Sequence, residues 1–275
     1  MKQKQTLLIR QFLETHNHLG SPEQLLKKLI IEDFKSLEDL KSIENLEIKL
    51  KILGSLRGFT EPKYIELPSD ICARTKDGKI EINATHVKSR QLFAWAHEIV
   101  HSYFNSSTKV EIECIGGTYS FIGENVEEET LCNFGASEIL FYGINAKDFS
   151  VETLQKIAQG NGLSKEATAC FMRKYAPENG GIIVWKRMHR KSENPHQSSL
   201  FDEDQQPFRI HYALVNGNLF LPKNKSVNSG EAINECEQDG FSFGVIELNL
   251  PSKVLISTDN LLIGDKTVLT LFKVI

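Results

Sequence analysis

Leucine and isoleucine recur at three- and four-residue spacing up to about residue 57, in LLIRQFLETH and LLKKLIIEDFKSLEDLKSIENLEIKLKIL, with charges between them. That period belongs to amphipathic helices. Ser21-Pro22-Glu23-Gln24 supplies one start, with serine as cap and proline at the first helical position. From Gly58 the period shortens. YIEL and KIEINA alternate apolar and polar residues and Asp77-Gly78 is a turn signal, so residues 58–86 are expected to hold two or three short strands. HVKSR leads into QLFAWAHEIVHSYF, an amphipathic helix, and KVEIECI and TYSFIG follow as strand candidates separated by Gly116-Gly117. The next helix, in ENVEEETLCNFGASEILFYG, opens on acids that suit the positive end of its dipole, and Gly143 is its terminator.

Residues 150–176 read as two short helices joined around Gly160-Asn161-Gly162, with Ser150 and Ser164 as caps. The outline is that of a helix-turn-helix. Its second helix offers only Lys165, Arg173 and Lys174 as cations, which favours a plain helical hairpin. Past Gly180-Gly181 the chain is β-rich: IIVWKRM, FRIHYALV, NLFLP, FSFGVIELNL, KVLIST and VLTLFKVI are extended candidates, and 192–207 is a polar surface loop. The expected class is α+β in three parts. Residues 1–148 hold the N-terminal helices, the small sheet and the histidine helix; 149–178 hold the hairpin; 179–275 form a β-rich C-terminal domain, with the main boundary near 177–181.

The 275 residues suffice for one large core or two smaller ones. A net charge of -4 gives no global signature of a nucleic-acid binder. No apolar run approaches the roughly 18 residues of a membrane span, and the apolar start is interrupted at Arg10-Gln11 before a signal-peptide core can form. Five cysteines, Cys72, Cys114, Cys132, Cys170 and Cys236, contain no C-x-x-C pair. Free thiols in a reducing cytoplasm are expected, not a disulfide framework or a zinc ribbon.

Chemistry concentrates in FAWAHEIVHSYF, residues 93–104. Residues four apart on a helix share a face, so His97 and His101 can present their rings to one ion. Zinc accepts neutral imidazole nitrogen, and a catalytic site needs a third protein ligand and an open position. Glu98 follows the first histidine and falls beside that position, where a carboxylate can take a proton from an attacking water. A pair of ordinary core histidines would need no third ligand. Downstream, Glu127, Glu128 and Glu129 head the next helix, and any of them could point back.

HEIVH followed by Glu129-x-x-Cys132-Asn133 and Ala136-Ser137-Glu138-Ile139-Leu140 resembles the ImmA/IrrE family of zinc metallo-endopeptidases, over roughly residues 60–142. In that family HExxH is followed by a helix of the form E-x-x-[A/C]-N, a small-residue stretch and an aliphatic pair. The resemblance implies a zincin-like domain in which His97, His101 and Glu129 hold one Zn2+ and Glu98 is the catalytic base. Glu127 and Glu128 would then be first-turn or supporting charges. Gly135 stands where the family tends to carry phenylalanine, and Phe141-Tyr142 replace its common Met-Pro end. The resemblance also implies a narrow regulatory protease that cleaves a partner helix-turn-helix repressor and derepresses a stress, phage-defence or mobile-element operon. A DNA-damage signal is implied as its trigger, with single-stranded DNA a candidate activator. Some members carry a GAF-like sensor domain, an α/β sandwich, and the β-rich C-terminal segment is a candidate for one.

Other groups stay open. Cys114, in VEIECIGG, is either a buried small hydrophobe or an inhibitory fourth zinc ligand that swings on Gly116-Gly117. WKRMHRK, residues 185–191, is either a guarded sheet edge or a phosphate-contacting patch in which Lys186, Arg187, Arg190 and Lys191 accompany a stacking tryptophan. Cys132 is expected to pack inside its helix. The sequence names no oxyanion stabiliser: Tyr103, Tyr119, His86 and His211 are candidate donors, most of them better explained as structural. The competing function is a DNA-linked regulator whose metal site is mainly structural, and it rests on the hairpin and the basic cluster.

Overall fold

The computed structural model describes residues 7–37, 45–104, 112–115, 126–187, 207–224, 231–249, 253–264 and 266–275. They form a mixed α+β chain that divides into two compact units, Met1–Ile144 and Asn145–Ile275.

In the first unit, α1 (Leu7–Thr15), α2 (Pro22–Ser36) and α3 (Leu46–Leu56) precede the sheet. Ser21 caps α2 reciprocally: its hydroxyl accepts from the Gln24 amide, and the Gln24 side chain accepts from the Ser21 amide. The leucine period that reads as one run from Pro22 conceals a break. α2 ends at Ser36, and α3 opens at Asn45, whose side-chain oxygen accepts from the amides of Glu47 and Ile48.

Strands β1 (Lys63–Ile65), β2 (Ile71–Lys76), β3 (Lys79–Asn83) and β4 (Ile112–Ile115) form a sheet in the order β1-β3-β2-β4. β1 runs parallel to β3, and the other pairs are antiparallel. The β2–β3 hairpin turns on Asp77-Gly78, both at positive φ (50° and 72°), the backbone that matches the right-handed twist of paired strands. Asn83 closes β3 and is fully buried. Its amide nitrogen donates to the carbonyls of Leu67, Pro68 and Ile71, and its oxygen accepts from the amides of Leu67 and Thr85. Gln91 donates back to the carbonyls of Asn83 and Ala84, which ties the first turn of α4 (Lys88–Phe104) to the end of the sheet.

α4 is apolar nearly all round because it is enclosed, with β2 and β3 against it and α5 (Val126–Leu140) packed alongside. Gly135 sets the approach of α5. A Cβ there would lie 2.8 and 2.9 Å from the Val100 methyls and 3.0 Å from Leu26 Cδ2. The space of a side chain is already filled, which lets α5 lie against the turn of α4 that carries the histidines. Gly135→Ala is therefore expected to lower stability by about 1 kcal/mol, overpacking of roughly 1–3 kcal/mol exceeding the gain of about 1 kcal/mol in helix propensity. Denaturant unfolding measures the difference, and a more stable variant would contradict the close approach.

The second unit opens with α6 (Val151–Asn161) and α7 (Lys165–Met172), capped by Ser150 and Ser164 as the sequence indicates. β5 (Gly181–Arg187), β6 (Phe208–Val215), α8 (Glu231–Asp239), β7 (Phe241–Asn249), β8 (Lys253–Gly264) and β9 (Thr267–Val274) follow. The sheet is antiparallel throughout, in the order β6-β5-β9-β8-β7. Ile183, Trp185, Val268 and Phe272 cluster with Ile233 and Cys236 of α8, whereas Ile182, Val184, Leu269 and Leu271 cluster with Leu154, Ala169 and Met172 of α6 and α7. Helices thus cover both faces, which explains the unbroken apolar run IIVW.

Three expectations shift. The division falls between Ile144 and Asn145, because the helical pair buries its apolar side on the C-terminal sheet instead of linking two bodies. Lys165, at the head of α7, donates to the Leu262 carbonyl, so the pair is built as a covering hairpin. NLFLP forms no strand, and Phe220 within it is exposed, while α8 arises in a stretch with no expected element. TYSFIG and most of the 192–207 loop lie outside the described residues. Among the described residues no helix is long and apolar enough to cross a membrane, and Cys72, Cys132, Cys170 and Cys236 are free thiols.

Candidate metal centre

α4 and α5 bring His97, Glu98, His101, Glu128, Glu129, Cys132 and Asn133 together. His97 and Glu98 are fully buried and His101 nearly so, while the Glu129 side chain keeps 20% of its exposure. The ring nitrogens His97 Nε2 and His101 Nε2 lie 3.1 Å apart. Glu129 closes the triangle, with Oε2 3.2 Å from His97 Nε2 and Oε1 3.6 Å from His101 Nε2. Two ligands at 2.0–2.1 Å from a tetrahedral ion are separated by about 3.3 Å, so the donor spacing fits one zinc-sized ion.

The outer nitrogens decide what the inner ones offer. His97 Nδ1 meets the Asn133 side-chain oxygen at 3.0 Å, and His101 Nδ1 meets Glu128 Oε1 at 3.1 Å. Both partners are acceptors, so each ring donates outward from Nδ1, and a neutral ring turns a lone pair inward from Nε2. With both rings neutral, two lone pairs and a carboxylate would face one another, a donor set that suits a cation. Burial opposes charge on His101, but Cys132 and the carboxylates of Glu128 and Glu98 outweigh it and hold its pKa well above the ordinary value. Burial would likewise raise Glu129, yet its hydrogen bond to His97 and the charges of both histidines bring it below the usual carboxylate range.

An ion that takes the His101 Nε2 lone pair must displace that proton. Affinity for zinc is accordingly expected to rise with pH until His101 is neutral in the free chain, with proton release on binding near pH 7. Calorimetry in buffers of different ionisation enthalpy reads the released proton, and binding with no proton release across that range would contradict the assignment.

No family model matches the chain, and no curated protein matches it. A solved structure does. It is a Mycobacterium tuberculosis transcriptional regulator, similar with a TM-score of 0.51 at 10% identity over 96% of this chain and 80% of that one. At that identity the likeness concerns the fold.

His97, His101 and Cys132 form a buried cluster, with one donor atom of each within 4.8 Å of the others, that could hold a metal ion. The thiol competes with Glu129 for the third position. Cys132 Sγ lies 3.4 Å from His101 Nδ1, the nitrogen that already faces Glu128, and burial pushes its pKa up to about 11. The Nε2 pair and the Glu129 carboxylate make the more consistent donor set.

Glu98 reaches the sheet, where the Thr75 hydroxyl of β2 donates to Oε2 at 2.6 Å. Among the described residues Oε1 is buried without a hydrogen-bond partner. Burial is the largest influence on this carboxyl and raises its pKa, opposed by His101, His97 and the Thr75 hydrogen bond. Glu128 takes the supporting place that the resemblance left open to it, behind His101, whereas sequence reasoning missed Thr75 and Asn133 as working parts, although Asn133 stands at helical spacing from Glu129.

The remaining candidates lie elsewhere. Tyr103 donates its hydroxyl to Asp33 at 2.6 Å under the Arg57 guanidinium, which removes it as an oxyanion donor. His86 has its ring against the Ser69 carbonyl, His211 sits on β6 of the second unit, and Tyr119 is outside the described residues. Cys114 stands opposite Ala73 in the β2–β4 register, two residues along β2 from Thr75; its side chain is outside the described residues. The two readings of residues 185–191 are met only in part among the described residues. Trp185 is fully buried and donates to Thr270, because β5 is covered on both faces. Arg187 is engaged by Glu237 and lies over the Phe208 ring, Lys186 is half-buried, and Arg190 and Lys191 fall outside the described residues.

Proposed function

We propose that the chain is a zinc-dependent endopeptidase of narrow specificity, of the ImmA/IrrE kind and with a zincin-like first unit, that cleaves a partner helix-turn-helix repressor. The observation that carries this reading is the triangle of His97 Nε2, His101 Nε2 and Glu129, with an unpartnered Glu98 oxygen buried beside it. His97, His101 and Glu129 would hold the ion, with Asn133 and Glu128 fixing the rings from behind. When bound, zinc supplies Lewis acidity that polarises a carbonyl and acidifies water. Glu98 takes a proton from the attacking water at Oε1 and returns it to the leaving amine as the C–N bond breaks, so that a carboxylic acid and an amine result. The second unit, a five-stranded sheet with helices on both faces, is in keeping with a sensor domain of the α/β-sandwich type. The shared fold with a transcriptional regulator is in keeping with a place in transcription control.

The depth of the site favours a second reading. Complete burial of His97 and Glu98 suits a metal that braces a DNA-linked regulator. Incubating the zinc-loaded chain with the helix-turn-helix protein encoded nearest to its gene separates the two. The expected result is cleavage at one bond, lost with a chelator and regained with zinc. An intact repressor at full zinc occupancy would leave the bracing role.

A further inference from the structure

We propose that Thr75 is a positioning residue that clamps Glu98 by one oxygen and thereby leaves the other aimed at the attacking water; this rests on the endopeptidase reading above. The two carboxylate oxygens of Glu98 have unlike surroundings. Oε2 receives the Thr75 hydroxyl at 2.6 Å, and Oε1, also buried, receives nothing from the described residues. Buried polar atoms are nearly always paired, so an unpaired one at a site marks a place kept for something else. A threonine hydroxyl has a single proton to give, so it can hold one oxygen and not both.

The donor is also placed independently of the helix that it serves. Thr75 lies on β2, between β3 and β4, and its backbone registers with Ile80 on one side and Ile112 on the other. Its branched side chain is stiff at χ1. The terminal torsion of a glutamate, by contrast, is broad. Without the hydroxyl the Glu98 carboxylate would turn freely about that torsion, and either oxygen, or neither, would meet the water. Thr75 donates to Glu98, which is not among the ion's donors, so it shapes proton transfer without supplying a ligand.

Thr75→Val keeps the shape and removes the proton donor, Thr75→Ser keeps the donor, and Thr75→Ala is the alternative should valine disturb the strand. Hydrolysis is measured on the peptide that the wild-type chain cleaves fastest from a quenched-fluorescent library. The valine variant is expected to lose about 10- to 100-fold in kcat with KM unchanged, and the serine variant to regain most of it. Zinc affinity by chelator competition is expected to stay at the wild-type value in all three. Isotope-edited infrared spectra give a readout apart from turnover: the Glu98 carboxylate band, assigned by its loss in Glu98→Gln, should shift in Thr75→Val and not in Thr75→Ser. Wild-type kcat and an unmoved band in Thr75→Val overturn the clamp while leaving the peptidase reading intact. A fall in zinc affinity that parallels kcat also overturns it, since Thr75 would then be supporting the whole site. Failure of the peptidase reading looks different: wild type and Glu98→Gln are equally inert at full zinc occupancy, and the band still tests the clamp.

Discussion

Glu98→Gln is expected to bind zinc as the unaltered chain does and to hydrolyse peptide about 10²- to 10⁴-fold more slowly, the range that positioned acid–base groups contribute. The amide matches the carboxylate in shape and can still accept the Thr75 hydroxyl, so the packing around α4 has no reason to change. What disappears is the proton acceptor at the position of Oε1, the atom left unpartnered in the interior. Burial is the largest influence on the Glu98 carboxyl and raises its pKa, opposed by His101, His97 and the Thr75 hydrogen bond. Steady-state rates at measured zinc stoichiometry test this. An unchanged rate would remove Glu98 from the chemistry, and a lost metal would make it a structural acid.

Glu129→Ala is expected to weaken zinc binding by more than about 100-fold, beyond the 10- to 100-fold that accompanies loss of an outer-shell partner. Cys132→Ala should stay inside that outer-shell range. The contrast follows from which nitrogen each side chain approaches. Glu129 reaches the Nε2 atoms of both rings, at 3.2 and 3.6 Å, whereas Cys132 reaches the Nδ1 side of one ring, at 3.4 Å, with a thiol that stays protonated near neutrality. Competition against a chromophoric chelator gives both constants. The reverse order would assign the ion to the two histidines and the thiol, and the open position required by a hydrolase would have to be sought elsewhere.

The parts of this chain that follow local rules were legible before any coordinates. The four-residue spacing of His97 and His101, the caps at Ser21, Ser150 and Ser164, and the Asp77-Gly78 turn depend on neighbours along the chain, and each is found as expected. The choice among three consecutive glutamates is different. Adjacent helical residues point about 100° apart, so only the docking of α5 on α4 separates Glu128, behind His101, from Glu129, in front of both rings. Periodicity names no such docking. Thr75 was illegible for the same reason, being carried to Glu98 by the sheet from 23 residues upstream. Asn45 was overlooked because leucine spacing continues through it, and α8 because its few apolar contacts, Ala232, Ile233 and Cys236, sit among acids. The tryptophan of WKRMHRK misled because a strand enclosed on both faces shows no alternation to reveal which way Trp185 points.

If the His97, His101 and Glu129 side chains hold an ion, its binding adds to the stability of the first unit. Each tenfold rise of free ion above the dissociation constant adds about 1.4 kcal/mol to the native state. The second unit has its own sheet and core, and it contributes none of the four side chains around the ion's place, His97, His101, Glu128 and Glu129. Starvation for the ion would then soften the unit that holds it, exposing it to housekeeping degradation and making the protein's own lifetime a gauge of metal supply.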